Sequence, residues 1–296
     1  MREDVLSRFD SAAFIDKGWS SDDKYIVTRG GETLLLRVSD IAELERKRTE
    51  FAAMQKCAET GILMNVPLEL FTDEGSVYTL LTYIDGDDAQ NVLPALSDAE
   101  QYALGVSAGE ILRKIHAIPA PSAQDPWNTR FNRKVDRNIR WYGECPQKPE
   151  GGDAFLRYLA DNRHLLDGRP QTFQHGDYHI GNMVVTPHGD LGIIDFNRLD
   201  YGDPWEEFNR IAWCAQASGA FASGRVDGYF GGDVPLDFWR LLAFYLASNA
   251  LASVYWAIPF GQGEIDVMLQ QASDVLTWYD GMRNIVPTWY AGGKNG

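Results

Sequence analysis

The segment QHGDYHIGNM, Gln174–Met183, places His175, Asp177 and His179 within five positions, with Asn182 close behind. Two chemistries fit those residue types. His-x-Asp-x-His offers imidazole nitrogens and a carboxylate at a spacing that a hydrolytic metal site can use. His-x-Asp followed by Asn offers a carboxylate that could orient a hydroxyl and take its proton, plus an amide oxygen for a hard cation. A second segment, LGIIDF, Leu191–Phe196, carries Asp195. The runs MVVT and LGII read as a β hairpin turning at Pro187-His188-Gly189-Asp190. Asp177 and Asn182 stand before its first strand and Asp195 ends its second, so antiparallel pairing gathers two carboxylates and an amide at one edge. Mg2+ takes oxygen ligands, one or two from protein and the rest from phosphates and water, which suits Asn182 and Asp195. Asp177, left unmetalled, can serve as the base, and positioning and charge neutralisation carry most of phosphoryl transfer. The hydrolase reading needs further ligands, and His164 and His188 lack the motif context for it.

These residues need elements to hold them. KYIVTRG, a Gly30-Gly31 turn and TLLLRVS predict a hairpin. DIAELERKRTEFAAMQKCAETG predicts a helix with Asp40 as N-cap, Gly61 as its stop, and Ile41, Leu44, Phe51, Gln55 and Ala58 on one face. VPLELFT and SVYTLLTYI follow as strands, separated by Asp73, Glu74 and Gly75. The order strand, strand, helix, strand, strand suits a small antiparallel sheet with one helix packed on it. After DGDDAQNV the pattern turns helical, apart from the one hairpin. The expected division is an N-terminal lobe over 1–84, a hinge at 85–90, and a mainly helical lobe over 91–296 bearing the loop of Asp177.

Composition narrows the partners. The chain has 296 residues and a net charge of −15. Residues 1–90 carry 10 basic and 18 acidic side chains, residues 91–182 carry 11 of each, and residues 183–296 carry 6 and 13. A nucleic-acid partner would need a basic surface, so none is expected. A small cationic acceptor drawn to an acidic cleft is compatible, although many proteins are acidic merely for solubility. The basic run Arg130–Arg140 reads as a solvated helix face. Cys57, Cys145 and Cys214 are far apart and odd in number, which points to a reducing, cytoplasmic compartment. MREDVLSRFD has no apolar core and is not read as a signal peptide. Leu241–Phe260 is uncharged and long enough to span a bilayer, but its serines, asparagine and closing Pro259 favour a buried helix, so no membrane association is expected.

HGDYHIGN followed by IIDF resembles the aminoglycoside phosphotransferase and choline kinase group, a branch of the protein-kinase-like fold. Gly202-Asp203-Pro204, the IHAI helix end at Ile115–Ile118 and the strand-strand-helix-strand-strand order extend the resemblance over most of the chain. It implies an α+β, two-lobed fold: a small antiparallel-sheet N-lobe with one helix and a larger, mainly helical C-lobe. It implies an enzyme that moves the γ-phosphate of a nucleotide triphosphate, ATP or GTP, with Mg2+, to a hydroxyl of a small molecule. Asp177 matches the catalytic Asp, Asn182 and Asp195 the Mg2+ ligands, and His175 a histidine that braces the loop. Thr82 and Ile84 match the connector that holds the base, and Ile194 the apolar residue under it. Glu50 matches the glutamate that anchors a phosphate-binding lysine. Here Arg37 stands where that lysine is expected, with a forked, permanently charged head. The nucleotide loop Lys17–Tyr25 has only Gly18, with Ser20 and Ser21 as candidate phosphate contacts. The acceptor expected first is a cationic aminoglycoside-like molecule, as in antibiotic resistance, with choline-like amines, macrolides and sugar-like metabolites as alternatives and a non-catalytic nucleotide-binding homologue as another. A protein kinase is disfavoured, because only FNRLDYGD separates Asp195 from Pro204 and no Ala-Pro-Glu follows.

Other residues have plainer readings. His179 is expected to stabilise its loop. Asp203, Pro204 and Glu206 read as an N-cap, first helical position and capping-box partner, with Trp205, Phe208, Ala212 and Ala215 on the buried face. Glu206 or Glu207 could border the substrate site. Tyr255, Trp256, Trp278, Tyr279, Trp289 and Tyr290 are expected in core or rim packing, with two or three lining the acceptor pocket.

Overall fold

A computed structural model describes residues 2–15 and 22–292. The regular elements, in chain order, begin with α1 (Arg2–Leu6), β1 (Ser11–Ile15), β2 (Asp23–Arg29), β3 (Glu32–Asp40), α2 (Leu44–Ala58), β4 (Pro67–Thr72), β5 (Ser76–Thr82), β6 (Asp87–Asp88) and α3 (Ala89–Val92). They continue with α4 (Asp98–Ile115), α5 (Trp127–Glu144), α6 (Asp153–Asn162), β7 (Thr172–Gln174), β8 (Met183–Val185), β9 (Leu191–Ile193) and β10 (Asp200–Gly202). The chain closes with α7 (Ile211–Ala217), α8 (Gly219–Phe230), α9 (Leu236–Ala257) and α10 (Gln262–Trp278). Two compact units result: Met1–Val92 with Gly181–Leu199, and Leu93–Ile180 with Asp200–Gly296.

The first unit is built on a five-stranded antiparallel sheet in the order β1-β2-β3-β5-β4. The β2–β3 hairpin turns on Gly30 and Gly31, at φ 60° and 84°. A two-residue turn with both positions left-handed matches the twist of the flanking strands, and glycine adopts it without strain. Val27, Leu34, Leu36, Val38, Tyr78 and Leu80 form the core of this sheet, joined by Val5. The edge strand β1 is absent from the sequence reading. Its residues Ser-Ala-Ala-Phe are exposed and show no alternation, so no period-2 signal marks it.

Asp40 accepts the Ala42 N–H at 2.8 Å and caps a 3-10 turn, Ile41–Glu43, that leads into α2. The buried stripe of α2 differs from the expected one. Lys47, Glu50, Ala53, Met54 and Cys57 are buried, whereas Gln55 is exposed and Phe51 and Ala58 are half-buried. The stripe runs one residue earlier than the apolar pattern suggests, because two charged side chains occupy it. A second, three-stranded sheet in this unit, β6-β8-β9, contains the expected hairpin and adds Asp87–Asp88 as a third strand.

The second unit is mainly helical. α4 starts from a reciprocal capping box between Ser97 and Glu100. It crosses α8 at backbone contact through four glycines. A Cβ on Gly105, Gly109, Gly224 or Gly228 would lie 2.1–2.2 Å from a carbonyl oxygen of the facing helix. α9 is long and apolar enough to span a membrane, but 78% of its apolar window is buried inside the protein. This matches the expectation of a buried core helix. The short pair β7–β10 supports the loop at Gln174–His179.

Replacing Gly109 by Ala drives a methyl into the α8 backbone. The expected loss is about 1–3 kcal/mol or more of unfolding free energy, typical of overpacking, read as a lower urea midpoint.

Candidate active site

In the first unit, β8 and β9 pair Met183 with Ile193. The Ile194 N–H donates to the Asn182 carbonyl at 3.0 Å and extends this pairing by one step. Asn182 and Asp195 therefore flank one end of the hairpin, as expected. At its other end, Thr186 Oγ1 accepts the His188 and Asp190 N–H groups at 3.3 and 3.1 Å and closes the turn. Asp195 has φ 66°. An aspartate held in the left-handed region marks a backbone fixed by its surroundings, a feature that clusters at functional positions. Carboxylate and amide oxygens are the hard donors that Mg2+ takes, so Asn182 and Asp195 fit that ion. Ile194 is half-buried beside them.

Arg37 is buried on β3 and lies opposite Lys24 of β2. Its Nη2 and Nε donate to Asp22 Oδ2 at 2.7 and 3.1 Å, and its Nη1 donates to Asp195 Oδ1 at 3.1 Å. Lys47 Nζ reaches the same Asp22 oxygen at 2.8 Å and Glu50 Oε2 at 3.4 Å. Ser39 Oγ donates to Asp22 Oδ1 at 2.8 Å. Burial pushes the Asp22 carboxyl up, but the Arg37 charge and the Lys47 bond outweigh it and bring it down to about 2. Burial lowers the Lys24 ammonium, against the pull of Asp195 and with the push of Arg37. Burial likewise opposes the Arg37 charge, yet Asp195, Asp22 and Glu50 raise its pKa overall.

This arrangement changes one expectation. Among the described residues, Arg37 bonds to Asp22 and Asp195, and Glu50 bonds to Lys47, one helical turn away on α2. The direct bonds to the guanidinium come from Asp22 and Asp195, while Glu50 supports it through charge. Asp22 and Lys47 escaped the sequence reading because charged residues are presumed to face solvent. The available clue was Lys47 three residues before Glu50, a spacing that puts both on one helical face.

The residues expected to hold the base have their own partners. The Thr82 N–H donates to the Val66 carbonyl at 3.0 Å, and its carbonyl accepts from Asn65 Nδ2 at 2.8 Å. Ile84 is buried, and its Cδ1 packs over Gly192, where a Cβ would come within 2.8 Å. Ser20 and Ser21 lie outside the described residues.

In the second unit the loop after β7 is held from beneath. Glu207 is buried and accepts the His175 N–H at 2.9 Å, the Gly176 N–H, and His116 Nε2 at 3.0 Å. His116 Nδ1 lies 3.0 Å from the Tyr229 hydroxyl. Burial raises the Glu207 carboxyl, but the His116 bond and charge with His175 and the Gly176 N–H bring it below its usual value. His175 is fully buried, and its Nδ1 accepts the Asp177 N–H at 3.2 Å, the bracing role expected of it. The Tyr178 hydroxyl donates to the Ala108 carbonyl at 2.7 Å. Asp177 itself is part-exposed. Its Oδ1 forms an ion pair with Arg210 Nε at 3.1 Å without hydrogen-bond alignment, and its Oδ2 lies 3.7 Å from His179 Nε2.

Asp203 is fully buried and takes two N–H bonds from Arg169, at 2.7 and 2.9 Å, and the Tyr245 hydroxyl at 2.6 Å. Its expected structural role stands. The capping box does not form, because Glu206 bonds to Lys134 at 2.8 Å and Asn209 at 3.1 Å and the segment opens as a 3-10 helix. Glu207 props the loop from below. Of the late aromatics, Tyr255 stacks on Trp141, Trp289 and Tyr290 pack on Trp239, and Tyr279 is fully buried.

An antiparallel sheet with one long helix in the first unit, and in a helical second unit a His-x-Asp loop fixed by a buried carboxylate, define a phosphotransferase of the protein-kinase-like fold. The sequence profile of the phosphotransferase enzyme family matches residues 11–243, and the chain belongs to that family. No curated protein matches the chain in sequence. Among solved structures, it is similar to a thermostable mutant of aminoglycoside phosphotransferase APH(4)-Ia in ternary complex with ADP and hygromycin B, at 15% identity and TM-score 0.67, over 92% of this chain and 95% of that one. It is similar to a choline/ethanolamine kinase family protein from Mesorhizobium loti, at 16% identity and TM-score 0.67, over 96% and 97%. It is also similar to APH(2")-IIa in complex with gentamicin, at 14% identity and TM-score 0.65, over 92% and 94%.

Glu207→Gln removes the charge that balances the loop. The expected cost is about 3 kcal/mol of stability, as for one partner lost from a buried pair. The folded Glu207 pKa is depressed, so its contribution is present above the unfolded carboxyl pKa and fades as pH falls through the folded one. Urea unfolding from pH 7 to acid checks both points: the variant starts lower and its curve is flatter.

Proposed function

We propose that the chain moves the γ-phosphoryl group of ATP or GTP to a hydroxyl of a small, cationic, aminoglycoside-like acceptor. The observation that supports it most is the ordered set Asp177, Asn182 and Asp195, with Asp195 in a left-handed backbone at the end of β9 beside Asn182. Asp177 orients the acceptor hydroxyl and takes its proton, on a loop whose backbone is braced by His175 and Glu207. Asn182 and Asp195 hold Mg2+, which neutralises phosphate charge when bound. Arg37 neutralises phosphate alongside it, Glu50 steadies the neighbouring Lys47, and Thr82, Ile84 and Ile194 contribute the base site. Ser20 and Ser21 are phosphate contacts in the same reading.

The aminoglycoside-like acceptor is favoured by the acidic segments 1–90 and 183–296, whose carboxylates suit amines. APH(4)-Ia and APH(2")-IIa, similar in fold, are seen with hygromycin B and gentamicin. A choline-like amine is the second reading, supported by the fold likeness to the choline/ethanolamine kinase family protein. The antibiotic-resistance and metabolic roles divide along the same line. Three buried free thiols fit a reducing cytoplasm.

A nucleotide-consumption screen with ATP and GTP against aminoglycosides, macrolides, amino alcohols and sugars tests the proposal. Turnover is expected with an amine-bearing alcohol. Nucleotide binding without turnover across the panel would instead favour a non-catalytic homologue. Asp177→Ala should lower kcat by about 10²–10⁴-fold, the range for loss of a general base, while nucleotide affinity measured by calorimetry stays unchanged. Asp195→Asn should raise the Mg2+ concentration needed for half-maximal rate, read by a metal titration at fixed nucleotide.

A further inference from the structure

We infer that Arg37 and Lys47 together form a polyphosphate grip, and that Asp22 occupies it as an internal stand-in for a phosphoryl group. The inference rests on the reading that the first unit binds a nucleotide. Asp22 accepts hydrogen bonds from the Arg37 fork at two nitrogens, from Lys47 and from Ser39. A fork, an ammonium and a hydroxyl converging on one oxyanion is the donor set that phosphate oxygens use. The donors sit on regular elements, Arg37 and Ser39 on β3 and Lys47 on α2, and all three are buried. The acceptor stands just ahead of β2, at the end of an element.

Charge makes the same point. Among the described residues, the cations Arg37, Lys47 and Lys24 face the anions Asp22, Glu50 and Asp195 in equal number. A balanced set offers no net attraction to a polyphosphate. With Asp22 withdrawn, one positive charge is left over and Arg37 and Lys47 present open donors. Acid does not release Asp22, because its neighbours hold its carboxyl down to about 2. Exchange for another anion is therefore the route. This arrangement also accounts for arginine at position 37. A guanidinium holds Asp22 with two N–H groups and Asp195 with a third at once, and it can pass the first pair to phosphate while keeping the other. An ammonium has no such fixed fork.

The test titrates inorganic pyrophosphate into the full chain by calorimetry, for wild type, Asp22→Asn and Lys47→Met, with ATP·Mg2+ titrated in parallel. Asp22→Asn should bind pyrophosphate about tenfold or more tightly than wild type, since the resident competitor no longer occupies the grip. Lys47→Met should bind it more weakly. A folded Asp22→Asn with pyrophosphate affinity equal to or below wild type overturns the inference. If Asp22→Asn does not fold, hydrogen exchange on the wild type decides. Pyrophosphate should speed exchange at the amides of residues 22–24 and leave residues 37–39 protected, and unchanged or slower exchange at 22–24 refutes it. A wild type that binds no ATP·Mg2+ defeats the functional reading. ATP·Mg2+ binding with no gain in Asp22→Asn defeats only the stand-in role.

Discussion

Buried charge in the first unit must be neutralised where it stands, and that requirement shapes the sheet and helix around it. Arg37 and Lys47 are removed from water by the same packing that orders β3 and α2. Taking such ions out of water costs several kcal/mol each unless carboxylates meet them. Asp22, Asp195 and Glu50 meet that need. The result is that a strand, a helix and the end of the β9 hairpin are tied together by ion pairs and not only by apolar contact. The displaced burial stripe of α2 follows from it: the helix turns Lys47 and Glu50 inward and leaves Gln55 outside.

The second unit applies the same rule with the signs exchanged. There the buried ion is the Glu207 carboxylate, and its partners are two backbone N–H groups and His116. A carboxylate that holds the backbone of His175 and Gly176 fixes the path of the chain into Asp177. His175 then adds a second constraint by accepting the Asp177 N–H. The Asp177 side chain can remain part-exposed because the backbone beneath it is anchored. Rigid support under an accessible group suits the base role proposed for Asp177, since little of the rate of phosphoryl transfer comes from basicity itself.

What was legible in the sequence follows from which features have local signatures. Asn182 and Asp195 were readable as neighbours because a hairpin joins them, and hairpin pairing converts order into proximity. The Gly30-Gly31 turn and the Asp40 cap were readable because each satisfies a backbone need within a few residues. Glu207 and Lys47 were not, because their roles come from burial among partners far along the chain. For both, residue type argues for the surface, and the tertiary structure overrides it. The edge strand β1 lacked alternation because neither of its faces is well buried. The Arg37 substitution was visible, but its partners were not. A conformation such as φ 66° at Asp195 leaves no mark in composition at all.

The path of the chain has a consequence for synthesis. Residues Gly181–Leu199 belong to the first unit although they are made after helices α4 to α6 of the second. Until Ile193 has left the ribosome, β6 has no completed sheet to join and Arg37 lacks the Asp195 carboxylate. The N-terminal sheet can form early, but its charged interior waits on a segment nearly a hundred residues downstream. A single cut at Val92 would therefore release a fragment with its strands intact and its buried arginine only partly compensated. The two units are distinct in their packing and inseparable in their inheritance, because no one point along the gene divides them.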